Sequence, residues 1–486
     1  MRHRRSFVAA LLCALALPLR AADSKTPLAQ NPGVSAALEV FDTWADWTAK
    51  NRDQPAVSIG IVHDQELVFA KGYGFADLAK KTPATADTAY RIASISKTFT
   101  AHCILQLRDA GKLSLDDPIT KWIPELRLSN VDPSRPVVTI RQILTHTSGI
   151  PREVDGAYWN DQIFPSREAM IPILNKMGLA IPPETEWKYS NVAVGLAGYI
   201  VEAASGEKYP DYVAKHILEP LGMTGTRVMP AKDMSTLAVP YGRRMPGKPR
   251  RLEPFFFGNY MLAASNLAST VDDLAKYVEL QFRTDAATPV GGAQIVKGAT
   301  LAEMHRIQWL QPDWKSGWGL GWGIARVDDK TRLGHGGSVP GNRTQISFNP
   351  AEKFGVIVLT NSEDGRPAIY LNQAYAIVAP AIAKAVAAEA KPATPRPAWD
   401  KYVGVYTWED EEIHVAILDG KLTMFDPSDD NPWTSRVTLE PMKDGAPGVF
   451  RQVGGDATGE TVTFVADASG RVIRYDAPGY YMVRKN

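Results

Sequence analysis

Cysteine is almost missing from this chain: 486 residues contain two, Cys13 and Cys103. Cys13 lies in a leader-like segment, so a processed chain keeps Cys103 alone and forms no internal disulfide; Cys103 reads as a small core residue. Excess charge of either sign is lacking too. The 54 Lys and Arg balance 53 Asp and Glu, which argues against a nucleic-acid binder, since that needs basic clusters. The eight histidines are scattered without ligand spacing, so no metal centre is expected. No phosphate-cradling glycine loop of the P-loop type occurs. The glycines of GWGLGWG (317–323) have the wrong spacing for a dinucleotide motif and no helix follows them. No cofactor is expected. Past the leader, no apolar run reaches the ~20 residues of a membrane span.

What is present suits a globular protein: 45% of residues are apolar and 22% charged. At about 100–200 residues per domain, the length allows two to four domains. Residues 1–22 read as a secretory signal peptide, with basic MRHRRS followed by the 13-residue apolar run Phe7–Leu19 and small residues at Ala21 and Ala22. Loss of Arg2, Arg4, Arg5 and Arg20 would leave 50 basic against 53 acidic residues. The expectation is an exported, periplasmic or secreted protein with no membrane span and no nucleic-acid partner, acting on a small-molecule or peptide substrate.

Segment 56–77 alternates as a hairpin of two strands. A helix opens at Ser94 and closes at Gly111, a C′ glycine. Residues 187–205 pass from loop to helix, with apolar Val194, Ala197, Ile200 and Val201. Thr270 caps an amphipathic helix that runs to Phe282, and residues 317–361 read as successive strands. An Ala-rich helix covers 374–391. Three prolines in 391–400 mark a semi-rigid linker. Short alternating strands from 401 to 486 predict a small antiparallel β-barrel. Strands, a helical middle, then strands again indicate one α/β (α+β) domain over 28–390 whose ends share a sheet.

Ser94 and Lys97 are three residues apart, one helical turn, which puts a hydroxyl and an amine on one face. Ser94 as a simple N-cap is the competing reading. A serine hydroxyl becomes nucleophilic when a base takes its proton, and lysine can be that base if burial or a nearby cation lowers its pKa from ~10.4. A tyrosine near an ammonium would share the task, its phenol pKa lowered. Tyr189 and Asn191 in YSN, and His335, Gly336, Gly337 and Ser338 at a strand end, complete the candidate set. Asn191 alone would read as a helix cap, and His146 as a hydrogen-bonded structural residue. Trp318 and Trp322 read as strand packing. The HGG glycines would let substrate approach the strand closely, and its edge would add an N–H to that of Ser94 in an oxyanion hole.

SISK, YSN and HGG, in that order, resemble the three motifs of the serine β-lactamases and penicillin-binding proteins. The nearest likeness is to the class C branch with its DD-peptidase, D-aminopeptidase and esterase relatives. YRIASISKTFTA, GKLSLDDPI, IRQILTHTSGIP, ILEPLGMTGT and GWGLGWG also look like that family, and the resemblance spans about 50–380. It implies a β-lactamase/transpeptidase-like domain, an antiparallel sheet flanked by helices. It implies Ser94 as acylated nucleophile, Lys97 as base or proton shuttle, and Tyr189 as the partner that activates Ser94 and later a water. Asn191 would contact the substrate amide, and the N–H groups of Ser94 and Ser338 would form the oxyanion hole beside Gly337. His335 stands where many members carry the lysine of a Lys-Thr-Gly triplet. A histidine, mostly neutral at pH 7, puts carboxylate recognition in question, with Arg343 as a candidate replacement cation. The expected function is a peptidase or esterase; a class C-like β-lactamase and a penicillin-binding protein with little turnover are the alternatives.

Overall fold

The computed structural model describes residues 27–129, 137–284, 292–388, 399–442 and 446–485. The signal-peptide segment and most of the 391–400 linker lie outside the described residues. Helix α1 (Pro32–Asn51) precedes the hairpin β1 (Ala56–His63) and β2 (Glu66–Asp77). Among the helices that follow, three pack behind the site: α2 (Ser96–Asp109), α3 (Asn191–Ser205) and α4 (Val271–Leu280). The chain then lays down β3 (Ser316–Trp318), β4 (Gly323–Val327), β5 (Lys330–Val339), β6 (Asn342–Asn349) and β7 (Phe354–Thr360), and ends the domain with α5 (Pro367–Ala387). The Ala-rich helix thus starts seven residues before the expected 374, at a proline suited to the first helical turn.

The sheet has nine strands in the order Thr82–Pro83, β2, β1, β7, β6, β5, β4, β3, Trp309–Leu310. The first and last long segments meet in it as expected, because β1 pairs antiparallel with β7, Ile59 opposite Val358. Both strands are buried on both faces, and period-two alternation divides them between two cores. Val57, Ile59, Ile61, Val356 and Val358 pack with α1 and α5 on one side. Ile357 and Leu359 join the helical core on the other, with α2, α3 and α4. Glycine is required where α4 crosses the sheet: a Cβ on Gly60 would lie 2.6 Å from Val271, and one on Gly355 2.4 Å from Val278.

The C-terminal strands, Gly404–Trp408 through Tyr480–Arg484, form a closed eight-stranded antiparallel barrel. Its interior is filled by Tyr406, Leu422, Leu439, Val462 and Tyr475 among others. Ala416, Leu418 and Phe425 of the barrel pack into the α1–α5 core. Gln373 Nε2 donates to Asp430 O at 2.7 Å, and Lys384 pairs with Asp419 at 3.0 Å. No described helix is long and apolar enough to cross a membrane.

Candidate active site

Ser94 does not cap a helix. It sits in a single 3₁₀ turn, Ala93–Ile95, that leads into α2, and the α2 N-cap position is Ile95, which offers no side-chain cap. Ala93 takes a φ of +50°, a conformation rare for a side chain with a Cβ; such strain concentrates at functional sites. Lys97 follows one turn later on the same face. It is 2% exposed, and Nζ donates to Ser94 Oγ at 3.0 Å and to Ala264 O at 2.8 Å. Burial away from water drives its pKa from 10.5 down to about 7; Glu153 opposes that shift and Arg152 adds to it.

Tyr189 arrives from a distant segment that is stitched to the loop after His146. Lys188 N–H donates to His146 O at 2.7 Å, Ser190 N–H to His146 Nδ1 at 3.3 Å, and Ser190 Oγ to Pro151 O at 2.7 Å. His146 is therefore a structural residue, as expected, with its ring 4.3 Å from that of Tyr189. Ser190, not Asn191, caps α3 by accepting from Ala193 N–H. The Tyr189 phenol lines the same cleft as Ser94, whose side chain tends to lower the phenol pKa. Lys97 Nζ lies 5.0 Å from its ring centroid and the Arg152 guanidinium 5.2 Å. The expectation that an ammonium would lower the phenol pKa fails here. Burial outweighs Ser94 and Arg152 and pushes it up to about 12, so near neutrality the phenol keeps its proton and Lys97 is the group poised to lose one.

Asn191 and His335 reach the same cleft, an open space of about 1750 Å³ that Ser94, Tyr189 and the stretch Gly334–Ser338 also line. Asn191 Nδ2 donates to Glu153 Oε1 at 2.5 Å. His335 Nδ1 is 2.7 Å from Gly336 O; a carbonyl only accepts, so Nδ1 carries the proton. Burial and the nearby Lys97 lower the imidazole pKa to about 3, which leaves His335 neutral. Pairing of β4 with β5 ends at Gly334, so the β5 edge beyond it, through Ser338, has no strand partner there and exposes alternate backbone groups to the cleft.

Gly337 is glycine for a different reason from the one expected. A Cβ there would lie 2.2 Å from both Ile92 O and Thr344 Oγ1, so the residue packs tightly against the Ser94 turn while it also lines the cleft. Gly336, by contrast, would tolerate a Cβ, which would meet Thr344 O at an ordinary 3.8 Å. Arg343 is not a free cation: Nη1 donates to Val339 O at 2.8 Å and Asn342 O at 2.9 Å, holding the β5–β6 turn. Trp322 is core, whereas Trp318 lines the cleft with its ring centroid 5.6 Å from that of His335. Sequence reasoning missed Arg152 and Glu153, both in the cleft wall. The only signal is a charged pair directly after the apolar turn of HTSGIP. No barrel residue lines the cleft among the described residues.

The chain has relatives among known proteins in sequence and in fold. "Protein flp" of Staphylococcus aureus (strain NCTC 8325 / PS 47) is 27% identical over 326 residues, 66% of this chain and 62% of that protein; the chain thus spans under two thirds of this relative's length. The octameric penicillin-binding protein homologue from Pyrococcus abyssi shares the fold with a TM-score of 0.59 and 25% identity, over 92% of this chain and 100% of that one. A class C beta-lactamase superposes with a TM-score of 0.60 at 22% identity, covering 74% of this chain and 99% of the other, a likeness of fold alone. The family model described as Beta-lactamase matches residues 41–379, a stretch that holds Ser94, Lys97, Tyr189, Asn191 and His335, and on that match the chain belongs to the beta-lactamase family.

Proposed function

We propose that this chain is an exported serine hydrolase that cleaves an amide or ester through an acyl-enzyme on Ser94. The observation that carries the reading is the buried Lys97 amine, 3.0 Å from Ser94 Oγ, with its pKa brought down to about 7. An amine that loses its proton near neutrality can take the Ser94 proton as Oγ attacks the substrate carbonyl carbon. The carbonyl π electrons move to oxygen, which backbone N–H groups of Ser94 and of the unpaired β5 edge near Ser338 would stabilise. Collapse of that intermediate expels the leaving group, which takes a proton from the Lys97 ammonium or through the Tyr189 hydroxyl. Water then attacks the ester and gives its proton to the Lys97 amine; Ser94 leaves with a proton and the acid product departs. Tyr189, with its pKa near 12, works as a donor and relay, not as a standing phenolate.

The neutral His335 leaves no cation at the position where a lysine would meet a carboxylate, and Arg343 is held by carbonyls. That favours a peptidase or esterase over an efficient β-lactamase. Incubation with a panel of esters, D-amino-acid amides and penicillin, read by intact mass, is the test. An acyl adduct on the peptide containing Ser94, with steady product release, is expected. No adduct and no turnover, or an adduct elsewhere, would refute the reading; a single burst without turnover would support a binding protein instead.

Gly337→Ala tests the oxyanion geometry. The added Cβ must push β5 away from Ile92 O, widening the gap between the Ser94 turn and the strand edge. Because one oxyanion donor is typically worth about 10²–10³ in kcat, kcat for an activated ester is expected to fall roughly 10²-fold with a smaller change in KM. Unchanged kcat would place the oxyanion elsewhere.

A further inference from the structure

The cleft wall beside Ser94 presents hydrogen-bond acceptors where a carboxylate reader would present donors. Glu153 Oε1 accepts from Asn191 Nδ2 at 2.5 Å, and Oε2 accepts from the Tyr260 hydroxyl at 3.1 Å. Both partners are neutral, and Glu153 makes no ion pair among the described residues. The neighbouring guanidinium of Arg152 stacks on the Tyr189 ring instead. An amide that spends its N–H on a carboxylate turns its oxygen the other way. Asn191 is 6% exposed, and its Oδ1 is buried with no hydrogen-bond partner. His335 repeats the pattern: Nδ1 is used on Gly336 O, and Nε2 is a buried acceptor without a partner. Folded proteins seldom leave such groups unmet, and here both residues line the cleft that holds the nucleophile.

We propose that Glu153 and Asn191 Oδ1 form a subsite for a protonated amine adjacent to the scissile carbonyl, so that the preferred substrates are aminoacyl amides or esters with a free amino group. The proposal rests on the hydrolase reading of Ser94. An ammonium brings three donors and one positive charge, which match a carboxylate without a cation and an amide oxygen without a donor. An N-acylated substrate brings one donor, no charge and extra bulk at the same place. Glu153 and Asn191 line the same cleft as Ser94 and Tyr189, and the charge of Glu153 is felt at both Lys97 and Tyr189, so the carboxylate faces the space that an acyl chain on Ser94 would occupy.

The experiment compares kcat/KM for the p-nitroanilides of alanine and phenylalanine, D and L, with their N-acetyl forms, and uses p-nitrophenyl acetate as a reference. The wild-type protein should favour the free amine by about tenfold or more in at least one pair, the scale of a hydrogen bond to a charged group. In Glu153→Gln that ratio should drop toward one. It should also decline in the wild type above about pH 8, where an α-amine loses its proton; titration of Lys97 and Tyr189 acts on both members of a pair and cancels in the ratio. Turnover of p-nitrophenyl acetate with no free-amine preference in any pair, or with a preference that survives Glu153→Gln, overturns the subsite alone. Failure to turn over the reference and every anilide overturns the hydrolase reading, and this one with it.

Discussion

Ser94→Ala is expected to remove nearly all turnover of an activated ester while leaving a folded protein that still binds it. The expected loss in kcat is about 10⁴-fold or more, a barrier increase of roughly 5.5 kcal/mol. The argument separates the hydroxyl from everything else at this position. Alanine keeps the backbone N–H of residue 94, and it keeps the 3₁₀ turn that carries it. Lys97 retains Ala264 O as an acceptor at 2.8 Å. Tyr189, Asn191 and His335 are held by the His146 loop, by Glu153 and by Gly336, not by Ser94. What disappears is the hydroxyl oxygen proposed to bond to the acyl carbon. Triad enzymes stripped of a catalytic member keep a residue of catalysis from the oxyanion hole and binding alone, so a low rate without a burst is expected, with KM changed little. Ser94 is half-buried, so the missing hydroxyl should alter stability by less than about 1 kcal/mol. Steady-state kinetics, a mass spectrum free of adduct and a thermal melt read the three parts. Retained turnover would mean that another residue is acylated.

How legible this was differs by residue, for physical reasons. The Ser94–Lys97 relation is local: a three-residue spacing in a helical turn sets their distance whatever the rest of the chain does. Tyr189 was found through a resemblance, because no local rule brings residue 189 to residue 94; that approach is made by hydrogen bonds between the 188–190 segment and the loop at 146–151. Arg152 and Glu153 were passed over for the same reason. A charged pair after an apolar turn reads as solvated surface, and only the fold shows it walling a cleft. The sheet was readable because β-branched alternation is a property of each strand, and the meeting of β1 with β7 followed from strands at both ends of the domain. The barrel was readable from its short strands. The division of protons was not legible at all. An ammonium brought close to the phenol predicts a lowered tyrosine, whereas burial, a property of the whole fold, governs both groups and sends lysine and tyrosine in opposite directions.

That opposition yields the second large effect, Lys97→Met, which should lose activity and gain stability together. Methionine matches the length of the stem but has no amine. With the base gone, kcat should fall by about 10²–10⁴-fold, the usual scale of general base catalysis. The rising limb of the wild-type pH–rate profile, centred near 7 where Lys97 gives up its proton, should vanish in the variant. The sign on stability follows from linkage. In the unfolded chain the lysine keeps its proton up to about pH 10.4; in the folded protein it loses it near 7. Between those values the unfolded state binds more protons, so stability rises with pH across that window, and below pH 7 the full cost of a buried ammonium is present. Methionine carries no such cost. At pH 7 the variant should therefore be more stable, by on the order of 1–4 kcal/mol, as when buried charges are replaced by apolar groups of similar volume. The gain should shrink as pH climbs toward 10. Denaturant midpoints of both proteins at pH 6.5 and 9.5, set beside their kinetics, read the prediction. A variant that is inactive and also less stable at pH 6.5 would show that Lys97 is held there as a charge that the fold needs. The native chain would then be keeping an ammonium in its core for structure, and the base that activates Ser94 would have to be sought elsewhere.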